Sequence, residues 1–268
     1  MGSYSTPIPD FLRHFSVEGR VALVTGGSGG IGIGVCTALA GSGADIVSLQ
    51  LPTEPTFVKT EVERRGKRCD IYHVDLTILE SITPVMETVM AVHRPSIVIN
   101  CAGVIKKGET TEFPIEDLET VIRVNTTASI VVAREAVKAW LNQPEKHPFN
   151  RKIINFASIS SFQGNLQNIA YVASKGAVLN MTRGMSNEWA QHGINVNCVA
   201  PGYTKSRMTE QTYTNEMYNE QLFKRLPAKR WGEPKDLGAA CVYLSSPASD
   251  YVSGTCLVVD GGYLGGLP

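Results

Sequence analysis

The chain has 268 residues, 43% of them hydrophobic, enough to bury a substantial core in one large α/β domain or two small ones. Lysine plus arginine equals aspartate plus glutamate, 25 against 25, which leaves no basic field for nucleic acid or an anionic membrane and points to a small-molecule partner. The opening MGSYSTPIPDFLRHF has no charged segment followed by an apolar run, and no apolar stretch nears the roughly twenty residues of a membrane span, so a soluble cytoplasmic protein is expected.

Short β-branched runs alternate with longer helical patterns along the chain. RVALVTG precedes a helix over Ile31 to Ser42, ADIVSLQ a helix near Glu54 to Arg65, and CDIYHVD a helix from Ile78 to His93. PSIVINCAG then leads into a long helix from Pro114 to Leu141, KIINFAS into the helix bearing Tyr171 and Lys175, and INVNCVAPG into one near Lys235 to Ser245, with TCLVVDGG last. Seven nearly all-apolar strands separated by helices predict a doubly wound α/β fold, a seven-stranded parallel sheet covered on both faces, forming a single domain over 1–268. Two segments break the rhythm. Asn142 to Asn150, with two prolines, reads as a surface turn. Tyr203 to Trp231, with Tyr213, Met217, Tyr218 and Phe223, follows the end of a strand and is a candidate lid, because ligands of such sheets bind beyond the strands' carboxyl ends.

After the first strand, TGGSGGIG (Thr25 to Gly32) opens directly into a helix. A turn of this kind can serve helix packing alone, but placed between a first strand and a helix it suits a dinucleotide. Gly26, Ser28, Gly30, Ile31 and Gly32 let a pyrophosphate approach the helix amino terminus, whose free N–H groups and dipole favour anions. At the end of the second strand an acid would select the free adenosine ribose and an arginine the phosphorylated one, yet Ser48, Leu49, Gln50 and Leu51 include neither. Gln50 suits either form, so NAD and NADP both stay open; the lack of a cation in the turn or at the strand end tilts the expectation toward NAD.

Tyr171 and Lys175 are four positions apart on one helix and share a face, downstream of Ser158 at the end of the fifth strand. Bringing a phenol of pKa about 10 down by about three units takes about 4 kcal/mol of preference for the phenolate, which one ammonium about 4 Å away supplies at an effective dielectric of about 20. A positive nicotinamide ring would add to it. Ser158 is placed to donate to the same substrate oxygen with which Tyr171 trades a proton. Taken singly, such a tyrosine or serine is usually a packing or capping residue; their joint occurrence after a nucleotide turn is what favours catalysis. The six cysteines show no CxxC pair and no metal spacing, and read as buried reduced thiols.

With TGGSGGIG, VDL at Val74 to Leu76, NCAG at Asn100 to Gly103, VNT at Val124 to Thr126, Ser158, Tyr171 with Lys175, NVNCVAPG at Asn195 to Gly202 and VDGG at Val259 to Gly262, the chain resembles the short-chain dehydrogenase/reductases from Phe15 to Gly262. The resemblance implies a Rossmann fold and a catalytic tetrad of Asn125, Ser158, Tyr171 and Lys175, with Asn125 kinking its helix to hold a water behind Lys175. It implies too that Asp75 and Leu76 flank the adenine, that Asn100, Ala102 and Gly103 back the cofactor, and that Lys175 bonds the nicotinamide ribose. Pro201 and Gly202 form the turn beyond the sixth strand, and Ser206 stands where a threonine usually meets the carboxamide. Cys101 replaces a common second asparagine. Within the family, ASISSFQGN, LPAKRWGEPKDL and SDYVSGTCLVVDGGYL look most like 2-dehydro-3-deoxy-D-gluconate 5-dehydrogenases and gluconate dehydrogenases, although sugar-polyol and β-ketoacyl reductases share several of these features.

The expected activity is therefore NAD(P)-dependent interconversion of a ketone and a secondary alcohol on a sugar acid or polyol. The alternatives are a reductase of a β-ketoacyl or secondary-metabolite ketone, and a cofactor-sensing protein that has lost turnover. A sugar acid's carboxylate needs a cation, for which Lys106, Lys107 and Arg207 are candidates, with Gln163, Asn165 and Tyr203 for its hydroxyls. No metal is expected. The resemblance further implies a homotetramer formed through the two longest helices and the last strand, where Ile122, Ile130, Val131 and Val137 and the tail GGYLGGLP are candidates for contact.

Overall fold

Polar ends and apolar middles set the strand boundaries. The computed structural model describes residues 10–143 and 149–266, so the predicted turn at 142–150 lies largely outside the described residues. A short helix α1 (Asp10–Arg13) precedes β1 (Val21–Thr25), α2 (Gly30–Gly41), β2 (Asp45–Gln50), α3 (Phe57–Glu63), β3 (Cys69–His73), α4 (Leu79–Val92) and β4 (Ile97–Asn100). There follow α5 (Ile115–Ile122), a π-helical turn over Arg123–Ala128, α6 (Ser129–Leu141), β5 (Arg151–Phe156), α7 (Ile169–Trp189) and β6 (Ile194–Pro201). Last come α8 (Glu210–Tyr213), α9 (Glu216–Arg225), α10 (Pro234–Ser245) and β7 (Cys256–Val259).

All seven strands join one parallel sheet in the order β3-β2-β1-β4-β5-β6-β7. The interior β5 and β6 are buried at every residue, their Arg151, Lys152, Asn155, Asn195 and Asn197 included, whereas the edge strands β3 and β7 are partly exposed, β3 at Asp70 and His73. On one face Val35, Leu39, Leu237, Cys241 and Leu244 of α2 and α10 cover Val24, Ile46 and Ile99. On the other, Ile82, Met86, Val132 and Trp140 of α4 and α6 cover Leu23, Val47 and Val98.

Two features of the helices bear on the site. The long helix predicted from Pro114 to Leu141 is helical from Ile115 to Leu141, with a π turn over Arg123–Ala128 that carries Asn125, the residue for which the resemblance implies a kink. The helix predicted from Glu54 begins only at Phe57. A residue before proline is pushed away from helical geometry, and Glu54 precedes Pro55, so it stays in the turn after β2.

Candidate active site

The sheet's direction of winding reverses between β1 and β4, and crevices of doubly wound sheets open at such a point. Here the two strand ends are stitched together by Thr25, whose Oγ1 accepts from the N–H groups of Cys101 and Ala102, each at 3.1 Å. Above them lies a cleft of about 350 Å³. Gly26, Ser28, Gly30, Ile31, Gly32, Gln50, Asp75, Leu76, Ala102, Gly103, Pro201, Gly202 and Ser206 line it, together with Ser158, Tyr171 and Lys175. Asn100 lies behind the wall, where its Nδ2 donates to the Ser129 carbonyl and to Asn155 Oδ1 while its own Oδ1 is buried with no partner among the described residues.

The glycine turn fits a pyrophosphate sterically. A Cβ at Gly32 would fall 2.0 Å from the Gly26 carbonyl oxygen, and one at Gly30 would fall 2.7 Å from Ser206 Cβ, so side chains there would fill the approach or push the neighbouring wall away. The amino end of α2 has no side-chain cap on its N–H groups, which leaves it suited to an anion. Gln50 departs from its expected part. Its Oε1 accepts from Ser28 Oγ at 2.5 Å and Ser48 Oγ at 3.0 Å, and its Nε2 donates to the Pro55 carbonyl at 3.2 Å, so the amide braces the turn and has little left for a ribose.

At the other end of the cleft, α7 presents Tyr171 and Lys175 toward the end of β5. Ser158 lies opposite, its Oγ accepting from the Ser160 N–H at 3.1 Å, which leaves the hydroxyl proton free to be donated. Burial holds the Tyr171 phenol above its ordinary pKa, while a hydrogen bond with Ser158 works in the opposite direction. Burial also pushes the Lys175 ammonium down to about 8. Its Nζ donates to the Phe156 carbonyl at 2.6 Å and stands 5.6 Å from the centre of the Tyr171 ring. The lysine shares the tyrosine's face, as the spacing implies, but the phenol's shift is set by burial acting against the Ser158 hydrogen bond.

Asn125 ties this end together. Its Oδ1 accepts from the Val104 N–H at 2.8 Å, and its Nδ2 donates to the Val104 carbonyl and to Ser174 Oγ, both at 3.0 Å. The π turn thus clamps the segment leaving β4 against α7, one residue from Lys175.

The six residues suggested for substrate are scattered. Lys106 is exposed and pairs with Asp117 at 3.5 Å, Lys107 is exposed beside it, and neither lines the cleft. Gln163 and Asn165 are likewise outside its lining, with Asn165 Nδ2 donating to Ser160 Oγ at 2.7 Å. Tyr203 faces away from the cleft into an aromatic cluster, its ring 5.5 Å from Trp231 and 5.0 Å from Tyr263, and its hydroxyl accepts from Tyr218. Arg207 does line the cleft, but its guanidinium pairs with Glu54 at 2.7 Å. Glu54 is a charged lining residue that sequence reasoning missed, having assigned it to a helix. The six thiols are free, and no cluster of metal-ligating side chains exists among the described residues. No helix among them is long and apolar enough to cross a membrane.

A family model described as enoyl-(acyl carrier protein) reductase matches residues 26–264, and the chain belongs to the short-chain dehydrogenase/reductase family, as an NAD(P)-dependent oxidoreductase acting on CH–OH groups. Among its relatives, the 2-dehydro-3-deoxy-D-gluconate 5-dehydrogenase of Bacillus subtilis is 39% identical over 93% of this chain and 96% of its own length. The 5-keto-D-gluconate 5-reductase of Escherichia coli is 36% identical over 93% and 97%. A gluconate 5-dehydrogenase from Burkholderia cenocepacia, solved in complex with NADP and tartrate, superposes with a TM-score of 0.88 at 30% identity, covering 96% of this chain and all of its own.

Proposed function

We propose that this enzyme interconverts the ketone and secondary alcohol of a sugar acid, with Tyr171 as the acid and base. The observation that carries the reading is the convergence of the Tyr171 phenol, the Ser158 hydroxyl and Lys175 on the cleft that also holds the glycine turn. A nicotinamide dinucleotide, when bound, supplies or accepts the hydride. In the reducing direction Ser158 donates a hydrogen bond to the carbonyl oxygen, polarising it, and Tyr171 delivers the proton that the developing alkoxide needs. Burial keeps that proton on the phenol until the oxygen opposite becomes basic enough to take it. Lys175, with its pKa lowered to about 8, exchanges a proton readily near neutrality and can restore the one Tyr171 gives up. Asn125 is a positioning residue that sets α7 against the β4 exit.

The names of the relatives support a sugar-acid substrate. Its carboxylate is assigned to Lys107, three residues beyond the cleft-lining Val104 and in no ion pair among the described residues, whereas Lys106 is committed to Asp117. In a screen of keto sugar acids, neutral polyols and ketoacyl thioesters, followed by nicotinamide absorbance, sugar acids should give the highest kcat/KM. Lys107→Ala should raise KM for them about tenfold and leave neutral polyols unchanged, since one charged hydrogen bond is worth about 1.5–3 kcal/mol. A thioester or neutral polyol turned over faster than every sugar acid would sink this assignment.

A cytoplasmic homotetramer is also proposed. Ile130 on α6 and Ile115 on α5 are 38% and 63% exposed, whereas Val137 is buried in the core, so apolar surface is left on the helices expected to meet a second copy. Sedimentation at micromolar concentration should show about four times the chain mass; a monomer would count against it.

A further inference from the structure

Nucleotide-binding sheets read the adenosine ribose at the end of the second strand, with an acid for free hydroxyls or an arginine for a phosphate. In this chain the strand ends on Gln50, whose amide is consumed by Ser28, Ser48 and the Pro55 carbonyl. The acid and the arginine arrive from elsewhere. Glu54 stands four residues on, in the turn outside α3, and Arg207 comes from the segment after β6, 153 residues away. Their side chains meet at 2.7 Å across the mouth of the cleft, and both line it.

Only one carboxylate oxygen is used by that bond. Glu54 Oε2 is buried and has no hydrogen-bond partner among the described residues, which is costly for a charged acceptor and is relieved by any donor that reaches it. Resting on the dinucleotide-dependent activity proposed above, we infer that Glu54 reads the 2′ position of the adenosine ribose: its buried oxygen accepts from the free hydroxyl of NAD(H) while Arg207 clamps the other. The same bond ties the segment from Thr204 to Thr209 to the nucleotide end of the cleft. A 2′-phosphate at that point meets the carboxylate's repulsion and competes for Arg207, so it must break the tie to be held. The enzyme therefore prefers NAD(H), and the preference is a property of the pair.

Titration of NADH and NADPH into the full-length wild type, Glu54→Gln and the Glu54→Gln/Arg207→Gln double variant, by tryptophan quenching or calorimetry, tests this. The wild type should bind NADH at least tenfold more tightly than NADPH. Glu54→Gln should weaken NADH and tighten NADPH, each about tenfold, because the charge is gone and Arg207 is released. The double variant should lose the gain for NADPH. Arg207→Gln alone, made at a side chain 74% exposed, should weaken NADH three- to tenfold by unclamping Glu54, with an unchanged melting curve. A wild type that prefers NADPH, a Glu54→Gln ratio within twofold of wild type, or unaltered NADH affinity in Arg207→Gln overturns the inference and leaves the oxidoreductase reading standing. A wild type that binds neither dinucleotide overturns both.

Discussion

Replacing Tyr171 with phenylalanine is expected to lower turnover about 10³-fold while the dissociation constant for the dinucleotide stays within about threefold of wild type. The substitution removes one oxygen from a ring that α7 holds against the cleft and leaves the glycine turn, Ser158 and Lys175 in place. What is lost is the proton. Burial holds the phenol above its ordinary pKa, so Tyr171 is protonated at neutrality and suited to reduction as an acid; oxidation requires the phenolate and should accelerate with rising pH. Stopped-flow or steady-state assays in both directions, alongside a binding titration, measure all of this. A loss of less than tenfold would remove Tyr171 from the acid–base role and revive the non-catalytic, cofactor-sensing alternative.

Alkaline pH is expected to destabilise the fold steeply. Burial raises the Cys69 and Cys101 thiols to about 12 and those of Cys36 and Cys241 well above their ordinary value of 9.0. Groups with a raised folded-state pKa contribute stability that is complete below the unfolded value and is lost as pH climbs toward the folded one. Cys69 and Cys101 then lose about 1.4 kcal/mol each by one pH unit above 9, about 2.8 kcal/mol for the two, and Cys36 and Cys241 add to the loss in the same direction. Lys175 acts with the opposite sign. Its pKa is lowered to about 8 from 10.5, so between those values the unfolded chain binds the extra proton and folding gains, by about 2.5 kcal/mol at pH 10. The thiol losses go on growing toward pH 12 after the lysine contribution saturates near 10.5, so the fall steepens there, against a total of about 5–15 kcal/mol that holds most domains together. Urea unfolding at pH 8, 9, 10 and 10.5 reads the slope, and Cys36→Ala or Cys241→Ala should each flatten it by one proton's worth. Stability that is flat from pH 9 to 10.5 would show that these thiols are not closed off from solvent as the structure has them.

Local spacing carried much of this protein. Seven apolar runs separated by helical patterns specify a parallel sheet, because only strands covered on both faces are apolar throughout, and the observed strands fall within a residue or two of those runs. The turn from Thr25 to Gly32 and the four-residue interval from Tyr171 to Lys175 are local too: a turn and a helix impose their own geometry, so both were legible before any coordinates. Where the expectation rested on a local preference that a neighbour overrides, it slipped. Pro55 kept Glu54 out of α3.

The amino-acid sequence by itself determined which elements form, their alternation, and the local motifs at the two ends of the cleft. Only the tertiary structure decided what those motifs meet: that Gln50 is spent on Ser28 and Ser48, that Lys175 gives its hydrogen bond to Phe156, and that Tyr203 turns into an aromatic cluster. The Glu54–Arg207 pair belongs wholly to this second group. Its partners are joined through the packing of the chain after β6 over the end of β2, and no interval along the sequence encodes a contact made by two loops that the sheet brings together. Desolvation is likewise a property of the whole fold, so the sign of the Tyr171 shift had to wait for the burial that sets it.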